Sequence, residues 1–268
     1  MSKKIGFIGC GKMGEAMLAG ILRSGNVSPE MIMVSTASVA TLTKITSKYA
    51  VQGCLDNKEV AGFADMLFLA IQPALHEQVL SEVKAHLKED VVIITMAAGI
   101  ATSQIETGLG KRVKVARTMP NTPSLVGEGM TAISMNDEIT AADILDVTTL
   151  LNSFGKTELI QEHQMDAVPA ISGSSPAYVY MFIEALADGG VRDGIPRTQA
   201  YRLAAQAVLG AAKMVLETEK HPGALKDDVC TPGGSTIAAV ATLEENRFRA
   251  SILEAMKACT DKTKGINQ

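Results

Sequence analysis

A glycine-punctuated junction near the start constrains this chain more than any other stretch. Ile5-Gly6-Phe7-Ile8 is a short apolar run of the kind a buried parallel strand shows. Gly9-Cys10-Gly11-Lys12-Met13-Gly14 follows at once, and Glu15-Ala16-Met17-Leu18-Ala19-Gly20-Ile21-Leu22 then reads as a helix. A strand that turns on spaced glycines into a helix is the opening unit of a dinucleotide-binding fold. One glycine makes the turn, one lets backbone approach a pyrophosphate, and one lets the helix pack closely on the strand. The helix would aim its N-terminal N–H groups and the positive end of its dipole at that pyrophosphate.

The next stretches repeat the alternation. Strands are expected at residues 31–35, near Val51, and at 65–71, 91–95, 112–117, 130–135 and 156–160. Helical patterns are expected at 41–49, 58–63, 76–87 and 141–154. Such alternation predicts an α/β domain, residues 1–161, built on a doubly wound, mainly parallel Rossmann-type sheet. Ligands of these sheets lie beyond the carboxyl ends of the strands. The loops 9–14, 35–37, 70–73, 97–99 and 120–122 would gather on that edge. The second strand runs into Val34-Ser35-Thr36-Ala37-Ser38 without the carboxylate that holds a ribose 2′-hydroxyl in NAD-preferring folds. A 2′-phosphate would not be repelled there, and the hydroxyls are available to donate to it. This tilts the expected cofactor to NADPH, with NADH possible. The same hydroxyls also read as a cap on the following helix.

From residue 162 to 268 only helical patterns appear. Ser175 is placed as an N-cap with Pro176 in the first helical position, on a helix carrying Tyr178, Phe182, Ile183 and Leu186. Another helix starts near Pro196, with Tyr201, Ala204, Ala205, Val208, Ala212 and Val215 at helical spacing. About 100 helical residues make a thin core alone, so this part is expected to complete its core against a second copy of the chain. The chain is 47% apolar and 20% charged, which is globular, and its net charge of −4 argues against a basic nucleic-acid surface. No apolar run approaches the roughly 18–20 residues that span a bilayer, and the immediate strand predicts no cleavable signal peptide. The four cysteines and four histidines are scattered without ligand spacing, so no metal site is expected. Free thiols in the cytoplasm are the simplest account of the cysteines.

A second glycine loop interrupts the helices at Asp227-Asp228-Val229-Cys230-Thr231-Pro232-Gly233-Gly234-Ser235-Thr236-Ile237, and a helix resumes at Ser235 or Thr236. A glycine loop feeding a helix N-terminus with several hydroxyls suits a small anion such as a carboxylate. Taken alone, the stretch reads better as a capped helix start.

Five motifs stand in order: Gly9-Cys10-Gly11-Lys12-Met13-Gly14, Ala97-Ala98-Gly99-Ile100, Met119-Pro120-Asn121-Thr122-Pro123, Ser172-Gly173-Ser174-Ser175-Pro176-Ala177-Tyr178 and Pro232-Gly233-Gly234-Ser235-Thr236-Ile237. Together they resemble the pyrroline-5-carboxylate reductases over essentially the whole chain. The resemblance implies reduction of the cyclic imine 1-pyrroline-5-carboxylate to L-proline by NADPH or NADH. It also implies a Rossmann domain for the cofactor and an interlocking helical domain, giving dimers that can assemble to decamers. The second glycine loop of one subunit would face the nicotinamide held by its partner.

Carried over residue by residue, the N–H groups around Gly233, Gly234, Ser235 and Thr236, beside Thr231, bind the substrate carboxylate, and the Thr236 hydroxyl bonds the ring nitrogen. Glu162 and Asp228 match positions near the bound product. Ser35, Thr36, Asn57, Ala70, Ile71, Gln72, Pro73, Ala97, Ala98, Gly99, Pro120 and Asn121 join residues 9–14 around the cofactor. Gln72 departs from the family, which often has lysine there, so one positive charge near the cofactor phosphates is lost.

Other readings compete. A reductase for another cyclic imine shares these motifs. A 3-hydroxyacid dehydrogenase shares the first, but residues 165–200 lack the lysine that such enzymes use as acid and base. A non-catalytic nucleotide-binding regulator has no use for the second glycine loop.

Overall fold

The computed structural model describes residues 2–265. The first 160 residues form β1 (Ile5–Ile8), α1 (Lys12–Arg23), β2 (Ile32–Ser35), α2 (Val39–Tyr49), β3 (Gln52–Cys54), α3 (Asn57–Phe63), β4 (Met66–Leu69) and α4 (His76–Val83). Then come β5 (Val92–Thr95), α5 (Thr102–Leu109), β6 (Lys114–Met119), β7 (Gly129–Met135), α6 (Ala141–Leu151) and β8 (Gly155–Leu159). All eight strands join one sheet in the order β3-β2-β1-β4-β5-β6-β7-β8. Strands β1 to β6 are parallel, β7 runs antiparallel to β6, and β8 pairs parallel with β7.

Strand order reverses beside β1, with β2 on one side and β4 on the other, which opens the crevice of a doubly wound sheet at their carboxyl ends. Side chains alternate as a sheet covered on both faces requires. Ile5, Phe7, Met66, Phe68, Val92 and Ile94 pack toward α1, α2 and α6. Ile8, Leu67, Leu69 and Ile93 pack toward α3, α4 and α5. Phe7 and Phe68 are register partners and stack with ring centroids 4.6 Å apart.

Several expectations need adjustment. Met31 belongs to a 3-10 turn, Pro29–Met31, that leads into β2. Helix α4 ends at Val83 rather than residue 87. His86 N–H then donates to Val83 O (2.8 Å), a tightening that brings Lys88 Nζ to Asp65 (2.7 Å). Helix α6 ends at Leu151, where a 3-10 turn inserts Phe154 against Gly20. Helix α5 has no counterpart in the sequence reading, because Ile105 and Leu109 are its only buried large apolar residues. Its N-terminus is secured by Gln104 Oε1, which accepts from Ala101 N–H (2.7 Å).

After β8 the chain makes a π-helical turn, Pro169–Gly173, and continues as α7 (Ser175–Arg192), α8 (Arg197–Thr218), α9 (Pro222–Asp228), α10 (Ser235–Glu245) and α11 (Phe248–Thr263). Ser175 is already the first residue of α7, so the cap lies one residue earlier than the sequence places it. Among the described residues the chain divides into two compact units. One runs to Ser174 and takes back the segment from Thr260; the other is Ser175–Cys259.

Among the described residues of the second unit the buried ones are alanines, Ala187, Ala200 and Ala204, while Met181, Leu203, Leu216 and Leu253 are each more than 60% exposed. A helical unit with so little interior of its own presents an apolar surface that needs covering.

Candidate active site

The crevice beside β1 is built by backbone first. Gly9 N–H donates to Ser35 O (3.0 Å) and Ala70 N–H donates to Ile8 O (2.9 Å), so the ends of β2, β1 and β4 are tied in a row. Gly9 has φ +81°, and a Cβ there would stand 2.6 Å from the Ala70 carbonyl oxygen. The turn therefore demands glycine on two counts. At Gly14 a Cβ would come within 3.2 Å of the Ala70 Cβ, which is the close packing of α1 on the sheet.

Gly11 is different, since a Cβ there would meet nothing within 4 Å and its φ of −74° suits any residue. Nothing in the chain's own packing calls for glycine at position 11. Gly11 is also the N-cap of α1 and gives that helix no side-chain cap. An open helix N-terminus beside a position kept small suits an approaching phosphate.

A cleft of about 450 Å³ lies at this edge. It is lined by residues 11–14, 70–73, 96–98 and 119–120. Four strand-end loops that the sequence reading singled out are thus brought together. Met96 and Met119 line the cleft as well and were missed as site residues, although both stand at the strand ends that drew attention to their neighbours.

Other candidates lie outside the lining. The Cys10 thiol is buried, and burial together with the nearby Glu15 charge pushes its pKa up to about 12. Gly99 has φ +75° and sits next to the lining residue Ala98. The Asn121 side chain is occupied in holding the loop. Its amide donates to Ser172 O (3.0 Å) and its carbonyl accepts from Met130 N–H (2.9 Å).

The end of β2 corrects one expectation. Ser35 is fully buried and its hydroxyl donates to Asn57 Oδ1 (2.7 Å), while Asn57 Nδ2 donates to Glu82 Oε2 (3.1 Å). Thr36 Oγ1 donates to Ser38 O (2.9 Å), and Ser38 caps α2 by accepting from Thr41 N–H (3.3 Å). The hydroxyls expected to be available for a 2′-phosphate are already engaged with protein partners, Ser35 and Thr36 in buried positions and Ser38 at the surface. The lack of a carboxylate on the strand itself stands.

Glu162 is engaged too. It accepts from Thr102 N–H and from Thr102 Oγ1, each at 2.7 Å, which anchors the start of α5, and Arg117 Nη1 lies 3.7 Å from it. Arg117, a buried cation on β6, pairs more closely with Asp166 at 2.8 Å.

In the second unit, Gly234 N–H donates to Thr231 O (3.0 Å) and closes a turn with Pro232 and Gly233 at its centre. Gly233 takes φ +71°. Proline followed by a left-handed glycine is the chemistry of a type II turn. At Gly234 a Cβ would crowd the Thr231 hydroxyl and come within 3.1 Å of the Thr231 carbonyl oxygen, so a side chain there would require Thr231 to give way. Helix α10 begins directly, and its first helical bond runs from Ala238 N–H to Gly234 O (3.3 Å). The N–H groups of Ser235, Thr236 and Ile237 precede that bond and are left without a helical carbonyl acceptor. Ser235 and Thr236 are exposed, and neither hydroxyl has a partner among the described residues. Asp228, at the end of α9, pairs with Lys220 Nζ (3.1 Å). Glu162 belongs to the first unit and the rest of the expected substrate set to the second.

Comparison with known proteins decides the family. The curated pyrroline-5-carboxylate reductase of Escherichia coli (strain K12) is 48% identical over 268 residues, covering 100% of both chains. The chain belongs to the pyrroline-5-carboxylate reductase family. The family described as pyrroline-5-carboxylate reductase dimerisation matches residues 162–266, and that described as NADP oxidoreductase coenzyme F420-dependent matches residues 4–99. A solved pyrroline-5-carboxylate reductase from Coxiella burnetii superposes with a TM-score of 0.92 at 32% identity, covering 100% of both chains. A Plasmodium falciparum pyrroline carboxylate reductase, solved with NADP bound, gives 0.88 at 32% identity, covering 100% of this chain and 99% of that one. The dimerisation match over residues 162–266 falls on the helical part of the chain that presents the apolar surface.

Proposed function

We propose that the chain reduces 1-pyrroline-5-carboxylate to L-proline, the last step of proline biosynthesis, with NADPH as the preferred donor and NADH as an alternative. The observation that carries the reading is the pairing, in one chain, of a glycine-lined dinucleotide cleft with a second, hydroxyl-bearing anion cradle at the start of α10. A nicotinamide cofactor held in the cleft would supply the hydride for the imine carbon. Gly11 and the open N-terminus of α1 would hold its pyrophosphate, with Lys12 adding positive charge at the same helix end.

The chain's own residues do the rest by placement. The N–H groups of Ser235 and Thr236, behind the Thr231–Gly234 turn, bind the substrate carboxylate and fix the ring. The Thr236 hydroxyl bonds the ring nitrogen and orients the protonated imine, which is the better hydride acceptor. Hydride adds to the carbon of the C=N bond, the π electrons pass to nitrogen, and the neutral amine so formed takes up a solvent proton. No strong side-chain acid is needed. Glu162 and Asp228 complete the substrate set, and Glu162 does so while holding Thr102.

Residues 1–161 serve the cofactor and residues 162–268 serve dimerisation and substrate. The exposed apolar helices support a homodimer. Assembly to a decamer, and a cytoplasmic location, rest on the family resemblance and the thiol usage. Titrating the purified chain with NADPH and NADH in turn, at saturating 1-pyrroline-5-carboxylate, tests the donor preference. A kcat/KM at least about tenfold higher with NADPH supports it, and a higher value with NADH overturns it.

A further inference from the structure

A buried imidazole outside the chemistry described so far stands at the start of α4, beside the cofactor cleft. We propose that His76 is a positioning residue for the cofactor, tying the loop after β4 to the loop after β5. The inference rests on the dinucleotide reading of the cleft.

His76 opens α4 and is 3% exposed. Its Nδ1 lies 3.2 Å from Gln72 O and its Nε2 lies 3.1 Å from Thr95 Oγ1. A carbonyl can only accept, so Nδ1 carries the hydrogen and donates it to Gln72 O. Nε2 of the neutral ring then accepts from the Thr95 hydroxyl. The Thr95 oxygen still has a lone pair for Ala97 N–H, which lies 3.4 Å away. The result is one continuous relay from Gln72 through His76 and Thr95 to Ala97. Gln72 and Ala97, at its two ends, both line the cleft.

Each polar atom in the relay uses a different capacity, and the directions agree throughout. Burial holds the imidazole pKa below its ordinary value, which keeps the ring in the neutral form that can donate at one nitrogen and accept at the other. The Thr95 carbonyl accepts from Thr118 Oγ1 (2.9 Å), so the anchor at the end of β5 is itself fixed to β6.

Beyond a strand end the ladder no longer holds the backbone. The turn Pro73–Leu75 is short and 3-10, and residues 96–98 carry no regular structure. A cross-link between two such loops keeps the cleft walls in register before anything binds. Ordering that is done in advance is not lost from binding free energy.

The test is the affinity of the full-length chain for NADP+, measured by titration calorimetry without substrate and set beside its melting temperature. Thr95→Val removes the hydroxyl at nearly constant volume, and Thr95→Ser keeps it. Thr95→Val is expected to raise Kd about tenfold, with Thr95→Ser within about twofold of the parent chain. His76→Asn keeps a donor for Gln72 O but no longer reaches Thr95. It is expected to match Thr95→Val and stands in for it should Thr95→Val fail to fold. Because one relay is broken either way, the double variant should bind no worse than the singles.

Parent-like affinity in Thr95→Val, equal losses in the serine and valine variants, or additive losses in the double variant would each overturn the proposal. Failure of the parent chain to bind NADP+ or NAD+ would overturn the cleft reading itself, and this inference with it.

Discussion

The Ser35 hydroxyl donates to Asn57 Oδ1 at 2.7 Å and Asn57 in turn donates to Glu82, so the end of β2 presents an engaged hydroxyl where NAD-preferring folds place a carboxylate on the strand itself. Under the proposed NADPH preference, discrimination at this strand end would come from the carboxylate it lacks rather than from free donors on it. Ala37 follows that strand end and is exposed. Ala37→Asp should lower kcat/KM for NADPH about tenfold relative to that for NADH, through repulsion of the 2′-phosphate. An unchanged ratio of the two constants would count against NADPH preference.

Gly9 and Gly11 separate the structural from the ligand-binding uses of glycine. Gly9→Ala meets both a positive φ and a backbone oxygen, and should destabilise the fold by about 2–3 kcal/mol. Gly11→Ala meets nothing, so its melting temperature should equal the parent's while its affinity for NADPH falls at least about tenfold. Denaturant melts and cofactor titrations on the two variants check the contrast. A Gly11→Ala chain that binds NADPH normally would remove the phosphate role.

Thr236 stands exposed at the start of α10 with its hydroxyl unpartnered among the described residues. Thr236→Ala should leave stability unchanged and lower kcat at saturating substrate about 10–100-fold. Thr236→Ser should recover most of the loss. Steady-state kinetics that show full turnover in the alanine variant would exclude a part in catalysis.

Glu15 on α1 takes hydrogen bonds from Lys44 (2.7 Å), Lys48 (2.8 Å) and Tyr49 (3.1 Å), which join α1 to α2. The bonds from Lys44 and Lys48 hold its carboxyl at about 2, below the usual glutamate range. A folded-state pKa lower than the unfolded one means stabilisation that is complete above the usual glutamate range and disappears as pH falls toward about 2. The stability gap between the parent chain and Glu15→Gln should therefore be widest near neutrality and should close in acid. Chemical denaturation across that window would show it, and a gap that does not change with pH would count against it.

Ala50 ends α2 in the left-handed region, at φ 55°. Ala50→Gly should stabilise the chain by about 0.5–1 kcal/mol, measured as a shift in denaturation midpoint, because glycine takes that conformation without a Cβ penalty. A lower midpoint would show that something else at position 50 matters more.

The sheet was legible because its signals are short-range. Apolar runs such as 66–69 and 92–95, each bounded by small or polar loops, declare buried strands, and the Gly9–Gly14 spacing declares the crevice. Helix α5 was invisible because two apolar residues in eight make no periodicity, and its start is set by Glu162, sixty positions later. The same distance hid the fate of Ser35, whose partner Asn57 arrives from α3, and the relay through His76, which joins residues 19 positions apart. Spacing along the chain reveals which backbone can approach a ligand. It does not reveal which side chains are already occupied by one another.

The most direct measurement follows NADPH absorbance in the purified chain on addition of 1-pyrroline-5-carboxylate. The account predicts oxidation that depends on the imine and yields L-proline in equal amount. NADPH that stays reduced with the imine present, in a chain that binds both, would contradict it.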